Sequence, residues 1–148
     1  MLQPFLSACY ISELKSKRKR SDQISAAAQA ASSVSDWLSQ IVQSTELNSV
    51  YVRGTFEYES LNREEKNRFT LLIMHLLRSA ESVWQYQKIG VIDPEYWDSI
   101  ESTVERIVGT AGATRCYKHN RETLSAGFAN VVDDILSRAE HSNMGSTD

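Results

Sequence analysis

The stretch "NREEKNRFTLLIMHLLRSAESVWQYQK", residues 62–88, limits this chain more than any other. Asn62 followed three positions later by Glu65 is a capping box, which fixes a helix start. From there Phe69, Leu72, Ile73, Leu76, Ala80, Val83, Trp84 and Gln87 recur at spacings of three and four, and Leu71 and Leu77 widen the stripe. A helix that is apolar over so wide an arc needs neighbours on several sides, so it is expected at the centre of a bundle. Gly90 ends it, and Asp93-Pro94 starts the next: Asp as N-cap, Pro at the first helical position, where its missing N–H costs nothing. Trp97, Ile100, Val104 and Ile107 continue the pattern, so residues 62–107 read as an αα-hairpin with Trp84 and Trp97 facing one core.

The flanking sequence supplies the packing partners. Asp22 is the expected N-cap of a first helix with Ile24, Ala28, Ala31, Val34, Leu38 and Ile41 inward, and "AAAQAASS" keeps much of that face small. "TELNSVYVRG" reads as a short helix or turn closed by Gly54, which can take the left-handed cap conformation, and "TFEYES" as an extended linker. "GTAG" breaks the pattern after Ile107, "ATRCYKHN" reads as a short helical piece, and Ser125 caps a last helix with Phe128, Val131, Val132, Ile135 and Leu136 inward. The expected fold is all-α. It is a bundle of about four main helices plus short ones, with a basic flexible arm at 1–21, one domain at 22–140 and a disordered tail at 141–148. A chain of 148 residues has room for one such core.

The same motifs carry a resemblance. Tyr51, Arg53 and Gly54 form a Y-x-R-G turn; Ser60, Leu61, Glu64, Glu65, Arg68 and Phe69 form an S-L-x-x-E-E-x-x-R-F helix start. Glu81 with Gln85 and Gln87, and Gly90 with Asp93 and Trp97, complete the set. Together they resemble a family of uncharacterised bacterial helical proteins, over roughly residues 22–140. Many members carry a membrane-spanning segment ahead of this domain. The resemblance implies a helical fold and brings no activity with it.

Charge narrows the function. Lys15, Lys17, Arg18, Lys19 and Arg20 against Glu13 give residues 1–20 a net +4, so the overall −3 leaves −7 on the rest. An acidic body repels phosphates, so a nucleic-acid or anionic-membrane contact would fall on those five cations. "MLQPFLSACYI" is about half the ~20 residues needed to span a bilayer, and its charges follow the apolar run instead of preceding it. Cys9 and Cys116 form no CxxC, which suits a reducing, cytoplasmic setting, with the inner-membrane surface as the alternative.

Catalytic signals are sparse. His75, His119 and His141 share no ligand spacing with each other or with Cys116, and zinc sites need three or four ligands. Asp133 and Asp134 would point apart on a helix. Glu57 and Glu59 would share a strand face about 7 Å apart. No nucleophile elbow, HExxH, Walker or dinucleotide motif is present. No enzyme, metal or cofactor is therefore expected. The expected role is a non-catalytic interaction or regulatory domain of a bacterial or phage-borne protein, binding another protein or a second copy of itself. Gln85, Tyr86 and Tyr96 are its candidate partner surface. Arg53 is either an anion contact or half of an ion pair with Glu81 that pins the Gly54 turn to the central helix.

Overall fold

The computed structural model describes residues 3–144, with side chains placed for residues 7–141. Six α-helices and no strand are present among the described residues. They are α1 (Gln3–Gln43), α2 (Thr45–Phe56), α3 (Arg63–Lys88), α4 (Pro94–Val108), α5 (Ala111–Asn120) and α6 (Ala126–Met144). Single 3₁₀ turns occupy Tyr58–Ser60 and Arg121–Thr123. Four long helices and two short ones make the expected all-α bundle.

The capping box at Asn62 is formed: Asn62 Oδ1 accepts from the Glu65 N–H at 3.0 Å, and Glu65 Oε2 accepts from the Asn62 N–H at 2.9 Å. Asp93 caps α4 by accepting from the Glu95 N–H at 2.8 Å. Gly90, at φ 74°, takes the left-handed conformation that ends α3. α3 is central. Phe69, Ile73, Leu76, Leu77, Ala80 and Val83 have no exposed surface. Leu71, expected to widen the core, is 61% exposed. Trp97 is buried and Trp84 half-buried, with rings 6.4 and 5.7 Å from that of Phe128 on α6. The two tryptophans therefore do share a core residue.

The first helix departs most from expectation. It does not start at Asp22; it runs unbroken from Gln3, because no Gly or Pro interrupts residues 5–53 and Ser21-Asp22 alone does not stop a helix. The arm is thus, from Gln3 onward, the first half of a helix about 60 Å long, and residues 7–22 are exposed all round. The packed face keeps Val34 and Ile41 of the expected one and is turned from it by roughly 70°. Ala27, Ala30, Val34, Trp37 and Ile41 are buried, whereas Ile24 and Leu38 stand 55% and 57% exposed. Trp37 decides the rotation. It is the largest side chain on the helix, and its indole N–H reaches the Leu72 carbonyl of α3 at 2.7 Å. α1 runs antiparallel to α3, with the Ser33 and Ser79 hydroxyls 2.7 Å apart further along.

Gly54 does not end a helix. It lies inside α2 with a negative φ, and its role is close approach. A Cβ on Gly54 would fall 2.2 Å from the Phe69 ring, and one on Gly112 of α5 would fall 2.0 Å from the Gly54 carbonyl oxygen. α2 and α5 therefore cross backbone to backbone over Phe69. "TFEYES" is not extended: it ends α2 and forms a 3₁₀ turn. The expected tail at 141–148 is helical as far as Met144, and 145–148 lie outside the described residues.

Candidate functional site

The sequence candidates separate into three places. Arg53 and Glu81 do not meet. Arg53 pairs with Glu65, joining α2 to the start of α3. Glu81, only 6% exposed, accepts from the Ser125 N–H at 2.8 Å and holds the first turn of α6, with Arg78 3.6 Å from its other oxygen. Geometry keeps the expected pair apart. α2 returns along the beginning of α3, where Glu65 has one oxygen in the capping box and the other free for a guanidinium. Those bonds, from Arg53 first and then from the Asn62 backbone, hold the Glu65 carboxyl below the usual range.

Gln85 is exposed, and Tyr96 reaches a different side of α1, its hydroxyl 3.3 Å from the Ala31 carbonyl. Tyr86 is the candidate that lands in a formed depression. It lines a cleft of about 410 Å³ with Lys15, Arg18, Lys19, Asp22 and Ala26. A second cleft, of about 480 Å³, is lined by Ala26 and Tyr86 again, then by Gln29, Ser33, His75 and Arg78. The shared residues make the two clefts consecutive stretches of one groove between α1 and α3. Along α1 it runs from Lys15 to Ser33, roughly 27 Å of helix.

The sequence explains why the groove is open. On α1 the wall is Ala26, Gln29, Ala30 and Ser33, whose mostly short side chains leave space beside a neighbouring helix. On α3 the wall is His75, Arg78, Ser82 and Tyr86, at spacings of three, four and four, one line along a helix. Lys15, Arg18 and Lys19 crown one end beside one acid, Asp22, and toward the other stand His75 and Arg78, the latter also 3.6 Å from Glu81. Lys17 turns away to Glu13, 3.1 Å distant. Sequence reading missed this wall, although the 75-78-82-86 spacing carried the signal.

A cleft of about 610 Å³ opens over Trp84 and Trp97, rimmed by Glu101, Asp134 and Arg138. Lys88 Nζ sits 3.9 Å from the Trp84 ring centroid, and Arg138 pairs with Glu101. Glu59 is likewise engaged, by Lys66 at 2.9 Å and by Arg115. Among the described residues no three His, Cys, Asp or Glu side chains are grouped to hold a metal, and no helix is long and apolar enough to cross a membrane.

The most connected polar network is structural. Asp133 on α6 lies 2.6 and 3.0 Å from the Arg121 guanidinium and 2.7 Å from the Tyr117 hydroxyl. Arg121 chiefly, with Tyr117, holds the Asp133 carboxyl below the usual range, against the opposing effect of burial. Burial, and then Asp133, push the Tyr117 hydroxyl up. A carboxyl depressed by folding contributes stability above the unfolded-state value, near 4, and that contribution is lost as pH falls through the folded-state value. Glu59 and Glu65 act with the same sign. Asp133→Asn should therefore melt lower than the natural chain at neutral pH. It should also show a smaller drop in Tm between about pH 5 and pH 2, measured by circular dichroism. Equal pH slopes would show that Asp133 is unpaired in solution.

No protein-family model, curated protein or solved structure matches the chain.

Proposed function

We propose that the chain is a non-catalytic interaction domain of a bacterial or phage-borne protein that takes an acidic protein segment into the α1/α3 groove. One observation carries the reading: Tyr86, shared by both stretches of the groove, stands among Lys15, Arg18 and Lys19 with Arg78 further along. An aromatic beside several cations in an open groove of helical length suits a peptide that brings carboxylates and a few apolar side chains. Arg and Tyr are also the residue types that most often dominate interface energetics. The net −7 of residues 21–148 disfavours an acidic partner over the body as a whole and leaves the cations of α1 as the more attractive end. Two free cysteines, Cys9 exposed and Cys116 buried, fit a cytoplasmic setting.

Anisotropy of a fluorescent Glu-rich peptide tests this. Binding should weaken with salt, and Arg18→Glu combined with Arg78→Glu should raise Kd by about tenfold or more. If the double variant binds as the natural chain does, the groove is not the site.

A second reading rests on the arm itself. Tyr10, Ile11 and Leu14 are exposed beside the five cations, a pattern that suits an anionic surface at the inner membrane or a nucleic-acid backbone. The two readings part at Arg78, which lies in the groove and off the arm. Arg78→Glu should impair peptide binding while leaving capture by phosphatidylserine vesicles or duplex DNA unchanged.

A further inference from the structure

α1 carries two apolar stripes, and only one is covered. Tyr10, Leu14, Ile24, Leu38 and Val42 are 64%, 47%, 55%, 57% and 70% exposed. With Ala28 and Ala31 they fill seven of the ten positions reached by alternating steps of four and three from residue 10 to residue 42, and Lys17, Ser21 and Ser35 fill the other three. A helix on the flank of a globular body shows a broader stripe of period 3.6. A narrow seam of period 3.5, sustained for more than four heptads, is what a second long helix needs.

We propose that this seam pairs with the α1 seam of a second copy, in antiparallel orientation centred on residue 26. Position n then faces 52 − n: Tyr10 faces Val42, Leu14 faces Leu38, and Ile24 faces Ala28. Every large apolar side chain meets an apolar one. The single charge in the seam, Lys17, meets Ser35, and Ser21 meets Ala31.

Charge selects the direction. A parallel pair would set Lys17 against Lys17 and the two clusters at residues 15–20 side by side. The antiparallel pair sets the clusters roughly 27 Å apart, several times the ~8 Å screening length at physiological salt. It also brings each cluster to the turn holding Asp36 and its neighbouring serines. Polar residues within the seam weaken the pair and fix its register. Tyr96, with its hydroxyl on the Ala31 carbonyl, stands at the rim of the seam. The α1/α3 groove lies on the opposite side of α1 and stays open, so the pairing is independent of peptide capture.

Sedimentation of the full chain should give twice the monomer mass. Leu38→Glu, at an exposed site, should keep the helical circular dichroism and sediment as a monomer. Cross-linking reads the direction. In a Cys9→Ser background, Leu14→Cys alone and Leu38→Cys alone should form no covalent dimer on mild oxidation, while an equimolar mixture of the two should. A monomer mass throughout a dilution series would overturn the pairing. Self-cross-linking of Leu14→Cys alone would overturn the antiparallel arrangement.

Discussion

Replacing Trp37 with alanine should lower the unfolding free energy by about 3–5 kcal/mol, the range for emptying a buried large aromatic site. Trp37 is 2% exposed and the largest fully buried side chain among the described residues. Its ring meets Tyr51 edge-on at 5.7 Å, and its N–H closes on the Leu72 carbonyl. Truncation removes the main apolar link between α1 and α3, and α2 loses the ring that Tyr51 rests on. Leu72 is inside α3, so its carbonyl keeps the helical bond, and most of the cost is the void. Trp37→Phe separates the terms: it keeps most of the volume and should cost only about 1 kcal/mol for the hydrogen bond, plus a small packing loss. Urea unfolding followed by circular dichroism measures both. A loss under about 1 kcal/mol for Trp37→Ala would mean that α1 docks through its other stripe.

Gly112→Ala should destabilise by about 3 kcal/mol or more, at the upper end of overpacking costs. Alanine in place of glycine inside a helix ordinarily stabilises by up to about 1 kcal/mol, so the sign alone is diagnostic. The added Cβ would meet the Gly54 carbonyl oxygen at 2.0 Å and the Phe69 ring at 3.3 Å. A backbone carbonyl cannot rotate aside without moving α2, and Phe69 has no exposed surface through which to retreat. Gly54→Ala strikes the same ring. Because both substitutions push the same two helices apart, the double variant should lose less than the sum of the single losses. A stabilised Gly112→Ala chain would show that α5 does not cross α2 there.

These two sites mark where sequence reading stops. The capping box at Asn62, the Asp93-Pro94 start and the central stripe of α3 were legible because each is a relation between residues within a few turns. α1 misled because its sequence holds two apolar stripes about 70° apart, and periodicity does not rank them. Only the mass of Trp37 and an acceptor on α3 do. Gly54 looked like a terminator because glycine at a helix end and glycine at a helix crossing look alike until the crossing helix is known. Arg53 was matched to the wrong acid because Glu65 was already counted in its cap, although a carboxylate has two oxygens. The groove was half legible: the cations and Tyr86 were visible, but their adjacency depends on α1 running antiparallel to α3.

The unbroken course of α1 has a further consequence. One helix holds two very different protections. Amides around Val34 and Trp37 can exchange with solvent only when α1 leaves α3, an opening as costly as much of global unfolding. In a solitary chain the amides of residues 7–20, with no neighbour to release, open by fraying one turn at a time from the N-terminus. Deuterium uptake should therefore fall steeply along α1 near Gln23, where burial begins. Whatever occupies the arm would register as slowed exchange spreading outward from that point, which makes the helix its own reporter of occupancy.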